Sequence, residues 1–146
     1  MKGDDKTHFL NDKVQRLQKI LSDPTQLQEL VFSIIEVAPG DESSEHHLHY
    51  HEEECLFVLT GEASARIGCA CHRVKAGDFI GYRKGGLAHS LKNTGDSTLR
   101  CIMVSQRRDH DVSDYPRLGK RLFRNKNLTW NLVDVNVIDR PFGAKT

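Results

Sequence analysis

No apolar run in the chain approaches the roughly 20 residues that a membrane-spanning helix needs, so a spanning helix is excluded. An excess of one charge is missing too. Lys plus Arg total 21 against 20 Asp plus Glu, a formal net charge of +1, and the whole chain therefore lacks the basic footprint of a nucleic-acid binder. Aromatic residues are sparse at 7%. The basic stretch from Arg117 to Lys126 has only Phe123 interleaved, so it offers no stacking platform for single strands. The start, Met1-Lys2-Gly3-Asp4-Asp5-Lys6, has no apolar signal-peptide stretch, and a cytoplasmic protein with reduced thiols is expected. Cys55 and Cys101 sit in apolar runs as small hydrophobes, while Cys69 and Cys71 flank Ala70 in a turn; they read as free thiols rather than a disulfide framework. Gly85-Gly86 matches neither a Walker nor a dinucleotide loop. Ser64, Ser90 and Ser105 lack a nucleophile-elbow context.

What the chain does have is an ordinary globular balance. Its 146 residues are 38% hydrophobic and 28% charged, enough for one domain with a core. Residues 11–21 place Val14, Leu17, Ile20 and Leu21 on one helical face, which predicts a short amphipathic helix or packing arm over 1–29. It stops at Ser22-Asp23-Pro24, because the residue before a proline is pushed out of the helical region. Beyond Pro24 the period changes: Leu30–Val37 is rich in β-branched and aromatic residues, and further strands are expected at 54–60, 62–67, 71–75, 78–82, 88–93, 98–105 and 131–138. Glycine-bearing turns separate most of them, the pattern of an antiparallel sandwich or barrel. The fold class is all-β, with a barrel core over 30–106. The polar segment 107–128 reads as a surface excursion, and Trp130 with the last strand would either close the barrel or offer a dimer surface.

Eight histidines are present, and His46, His47, His49 and His51 fall within six residues. In an extended segment alternate residues share a face, so His47, His49 and His51 are expected to project together and His46 the other way. The His-x-His pair occurs twice, at 47/49 and 49/51. Glu54 opens the next apolar strand, and His89 begins another beyond Lys84-Gly85-Gly86. Neutral imidazole suits Zn, Cu, Fe and Ni. Three histidines and a carboxylate from two strand segments would make an octahedral-type site with two open positions.

Gly40, His47-Leu48-His49, Glu54 and Gly61 resemble the first motif of the cupin superfamily. Gly77-Asp78-Phe79-Ile80-Gly81-Tyr82, then His89 and Asn93, are similar to its second motif. This chain carries Arg83 where that motif usually has proline, and one extra residue between Gly85 and His89. The resemblance spans about residues 30–105 and implies a double-stranded β-helix, or jelly-roll, barrel. It implies a divalent transition metal (Fe, Mn, Ni or Zn) bound by His47, His49, Glu54 and His89, with His51 beside the ligands or at the pocket mouth. It also implies a homodimer.

An ion with open positions does Lewis-acid or oxygen chemistry. The expected function is action on a small anionic or polyhydroxylated metabolite, as a sugar-phosphate isomerase or epimerase or as a dioxygenase. The alternative is a non-catalytic small-molecule-binding or sensory cupin, because fold does not choose among these. Arg83, beside the second motif, and Arg66, between Ala65 and Ile67, are candidate ligand-binding cations. No residue is singled out as catalytic. The partners expected are a small molecule and a second copy, with neither nucleic acid nor membrane.

Overall fold

The strand pattern from Leu30 onward becomes a set of antiparallel sheets in the computed structural model, which describes residues 4–8, 10–141 and 143. The strands are β1 (Asp4–His8), β2 (Asn11–Ile20), β3 (Leu30–Val37), β4 (Leu48–His49), β5 (Glu54–Thr60), β6 (Glu62–Ile67) and β7 (Ala70–Lys75). They continue as β8 (Phe79–Tyr82), β9 (His89–Asn93), β10 (Leu99–Gln106), β11 (His110–Tyr115), β12 (Lys120–Asn125) and β13 (Asn131–Asp134). A six-stranded sheet runs β1-β2-β3-β10-β5-β8, beside a three-stranded sheet β7-β6-β9 and a four-stranded sheet β13-β12-β11-β4. A bridge between His47 and His89 joins the segment before β4 to β9.

Alternation explains the core. Ile35 and Val37 of β3, Leu56 and Val58 of β5, and Leu99, Cys101 and Met103 of β10 meet Ala63, Ala65, Val74 and Leu91 from the three-stranded sheet. The two sheets therefore pack face to face as a double-stranded β-helix barrel. All four cysteines are free, and burial pushes the Cys101 thiol up to about 12. Gly61 turns β5 into β6 at φ 93°, where a Cβ would come within 2.9 Å of Leu99 Cα; only glycine fits that crossing. Asn93, wholly buried, donates from Nδ2 to Val37 O and Ser97 O, both at 2.9 Å, and accepts from Gly95 N. The last residue of the second motif thus ties down a turn.

Two expectations need correction. Residues 11–21 are not helical, because Asn11–Ile20 is a strand in a hairpin with β1. It extends the main sheet by pairing Leu17 through Ile20 with Glu36 through Ser33. An isolated helix of that length is marginal in water, whereas the open edge of β3 supplies a ladder. The inward face of the strand is Val14, Arg16 and Gln18, whose polar members hide the period of two. Among the described residues the helical pieces are two 3-10 turns, Asp23–Thr25 and Val135–Val137, and no helix is long and apolar enough to cross a membrane.

The segment 107–128 is likewise more than an excursion, since β11 and β12 pair over their full length, His110 with Asn125 through Tyr115 with Lys120. Asp111, Ser113 and Tyr115 alternate into the interior. Two of these three are polar, so the inward face read as surface. The final strand is shorter than expected and gives way to a 3-10 turn at Val135.

Candidate metal centre at the barrel mouth

Each histidine is placed by backbone before its side chain acts. His47 and His89 exchange both backbone hydrogen bonds, N–H to O at 3.0 and 2.7 Å, which sets the two strands in register. His49 lies on β4, paired to Ser113 of β11. Glu54 opens β5 opposite Tyr82. The three imidazoles converge on one carboxylate oxygen: Glu54 Oε2 lies 3.8 Å from His47 Nε2, 4.0 Å from His49 Nε2 and 3.4 Å from His89 Nε2. Ring centroids of His47 sit 4.9 Å from His49 and 4.7 Å from His89.

The opposite ring nitrogens decide the tautomers. His47 Nδ1 is 2.6 Å from Glu45 O, His49 Nδ1 is 2.6 Å from Asp111 Oδ2, and His89 Nδ1 is 3.4 Å from Leu87 O. A carbonyl or a carboxylate can only accept, so a proton on each Nδ1 satisfies these acceptors and would leave each Nε2 lone pair for an ion bound on the Glu54 side. This donor chemistry fits a divalent transition ion. His47, His49 and Glu54 bring their ligand atoms within 4.8 Å of one another and could hold a metal. His49, Glu52 and Asp111 form a second such group, but Glu52 Oε1 and both Asp111 oxygens already accept hydrogen bonds. Glu52 Oε1 accepts from Arg108 N and Arg124 Nη2, and Asp111 accepts from His49 and from His51 N. That second group is the support of the first.

Electrostatics separate the two β4-side imidazoles. Burial holds His47 below its ordinary value, with Glu54 opposing. Burial also pulls His49 down, but its hydrogen bond to Asp111 and the charges of Glu54 and Asp111 outweigh this and hold it above. Burial works to raise Glu54, yet the His47 and His89 contacts keep it well below the usual carboxylate range. Tyr82 stacks flat on His89, centroids 3.6 Å apart at 6°. Its buried hydroxyl has no hydrogen-bond partner among the described residues, and burial followed by the Glu54 charge pushes it upward. Tyr115 stacks on His47 at 6.0 Å, with its hydroxyl pushed up to about 12, mainly by burial.

A cavity of about 500 Å³ opens over these groups, and Arg16, His47, His49, Glu54, Arg124 and Trp130 are on its wall. Trp130 thus belongs to the mouth, with Arg124 Cζ 5.9 Å from its ring centroid. The remaining sequence candidates fall elsewhere. His51 does not project with His47 and His49, because the extended segment ends at His49; its side chain is exposed and its backbone N–H donates to Asp111 Oδ1 at 3.1 Å. Arg66 is on the outer face of β6, opposite Ala63 and Ala65, with Nε donating to Gly68 O. Arg83 is exposed on a separate, largely apolar cleft of about 720 Å³ that meets the site at Glu54. His46 points away from the cluster, toward Ser90 Oγ at 3.2 Å. Arg16, Asp111, Tyr115 and Arg124 were missed by sequence reasoning. Their signal is alternation, visible only once 11–20 and 110–125 are read as strands.

The sheet order and the histidine-carboxylate mouth together define a double-stranded β-helix barrel whose donor set suits a metal. Residues 33–105 match the family described as Cupin domain, and the chain belongs to the cupin family. It is similar over 97% of its length to a candidate sugar phosphate isomerase from Acidithiobacillus ferrooxidans, at 42% identity and a TM-score of 0.92, covering 90% of that protein. A sugar phosphate isomerase of the cupin superfamily from Silicibacter pomeroyi is 18% identical, with a TM-score of 0.79 over 87% of this chain and 81% of that one. A candidate oxalate decarboxylase from Thermotoga maritima is 24% identical, with a TM-score of 0.57 over 64% and 82%. These last two share the fold alone. No curated protein matches the chain.

Proposed function

We propose that this cupin is a metal-dependent isomerase of sugar phosphates, with one divalent transition ion held by His47, His49, Glu54 and His89. The observation that carries the reading is the convergence of three Nε2 atoms on Glu54 Oε2, each imidazole locked by an acceptor at Nδ1. A divalent ion bound there supplies a Lewis acid suited to polarising a sugar carbonyl. The chain's own residues do the rest. Asp111 and the Glu45 carbonyl fix the imidazole planes, Glu54 contributes a carboxylate that stays ionised, and the β1–β2 hairpin and Arg124 of β12 wall the cavity. The identity of 42% to a relative named as a candidate sugar phosphate isomerase supports this chemistry over the others the fold permits.

The test is elemental analysis of the purified protein beside His49→Ala, followed by NMR of aldose and ketose phosphates incubated with each in D2O. Near-stoichiometric metal in the wild type, a large loss in the variant, and interconversion that tracks metal content are expected. Bound metal without turnover of any sugar phosphate would leave a ligand-binding cupin. A wild type that takes up no metal on reconstitution would overturn the centre itself.

A further inference from the structure

Arg16 stands apart from the other cations of this protein. Arg73, Arg107, Arg117, Arg121 and Arg124 each face a carboxylate within 4 Å, as does Arg100 at 3.4 Å from Glu36. Arg66, Arg83, Arg108 and Arg140 are exposed to solvent. Arg16 alone among the described arginines is drawn into the interior without a carboxylate partner. Its Nη1 donates to Ser43 O at 3.0 Å and its Nη2 to Gln18 Oε1 at 3.1 Å. Gln18, itself buried, is held by its Nε2 bond to Ser33 Oγ, so the guanidinium is aimed by a side chain that cannot swing. A guanidinium has five N–H donors in a planar fork. Three have no partner among the described residues, and the group lines the same cavity as His47, His49 and Glu54. The side chain is half-buried, with Glu54 beyond ion-pair distance as the charge that favours it; a guanidinium with donors to spare, pre-aimed at the wall of a cavity, is suited to receive an anion there.

We infer that Arg16 is the anchor for the phosphate group of the substrate, a phosphate monoester whose other end reaches the histidine cluster. The N-terminal hairpin, which precedes the family-matched segment 33–105, would then be part of the binding site and set its preference for phosphorylated over neutral sugars. Gln18 is the positioning residue that keeps the fork oriented. This rests on the isomerase reading for the identity of the ligand, but the anion site can be tested without turnover.

The experiment is titration of the purified full-length protein with inorganic phosphate by calorimetry, comparing wild type with Arg16→Met, Arg16→Lys and the exposed-surface control Arg66→Met. Saturable one-site binding is expected in wild type and in Arg66→Met. Arg16→Met should bind about tenfold more weakly or worse, the loss of a charge-assisted hydrogen-bond pair. Arg16→Lys keeps the charge without the fork and should be intermediate. If Arg16→Met fails to melt cooperatively, Arg16→Lys decides the matter. Phosphate binding of Arg16 variants equal to wild type, or no saturable binding in wild type, overturns the anchor. Should phosphate bind through Arg16 while no sugar phosphate is interconverted, the anchor stands and the isomerase reading falls. Turnover with a sugar-phosphate KM unchanged in Arg16→Met would do the reverse. If Arg16 is the anchor, its loss in that variant raises KM far more than it lowers kcat.

Discussion

The barrel strands and the two flanking hairpins bury their inward faces by opposite means. In β3, β5 and β10 most inward positions are apolar, Ile35, Val37, Leu56, Val58, Leu99 and Met103, with Ser33 and Glu54 the polar exceptions. In β2 and β11 the inward positions are Arg16, Gln18, Asp111 and Ser113 beside Val14 and Tyr115. The barrel strands are held by removal of apolar surface from water, while the flanks are held by hydrogen bonds to the rim and supply its polar groups. The lesson is a division of labour. Apolar strands make a rigid floor that spaces His47, His89 and Glu54, and polar strands orient and charge the mouth.

The largest effect that would sharpen this contrast is a cavity in the floor. Leu99 is fully buried, and Leu99→Ala is expected to cost about 2–5 kcal/mol in urea denaturation, with metal content per folded molecule unchanged. A parallel loss of metal would show that floor and mouth are not separable.

A flank substitution should do the converse. Asp111→Ala removes the acceptor that fixes the His49 ring, and metal affinity measured by chelator competition is expected to fall roughly ten- to a hundredfold, with a cooperative melt retained. An unchanged affinity would mean that Ser113 Oγ, 3.0 Å from His49 Nδ1, suffices alone.

The smallest effect belongs to the outer face of the same strand. The Arg121 hydrogen bonds, followed by that of Tyr50, hold the Asp114 carboxyl below its ordinary value. A depressed carboxylate contributes stability that is present above its unfolded value and is lost as pH falls through the folded one. Asp114→Asn should therefore flatten the acid limb of stability below about pH 4 by only a few tenths of a kcal/mol, because the group is largely solvent-screened. A steep change there would mean that the β11–β12 rim carries more of the fold than its exposure allows.

The contrast also explains which parts were legible in the sequence. Leu30–Val37 and Leu99–Gln106 are apolar runs rich in β-branched residues, which marks them as strands. The ligand spacing in 47–54 was visible because His-x-His and the following carboxylate lie in one extended segment. Asn11–Ile20 was misread because its inward Arg16 and Gln18 broke the apolar alternation, leaving Val14, Leu17 and Leu21 to suggest a helical face. His110–Tyr115 was misread for the same reason, through Asp111 and Ser113. His51 was grouped with His47 and His49 because periodicity carries no information about where a strand ends.

The sequence by itself determined that the protein is all-β, that its barrel spans the glycine-punctuated middle of the chain, and that imidazoles gather near one carboxylate. These follow from local alternation and from the side-chain chemistry of adjacent residues. Only the tertiary structure decided that Asp111 aims His49, that Glu45 O aims His47, and that Arg16 enters the cavity. The Asp111–His49 contact joins positions 62 residues apart and the Arg16–Ser43 contact positions 27 apart, while the short Glu45–His47 link depends on backbone direction. Such contacts exist only after the edge of β3 has captured the N-terminal hairpin and β4 has captured β11, since pairing across a sheet is chosen by backbone hydrogen bonding and burial rather than by any neighbour in sequence.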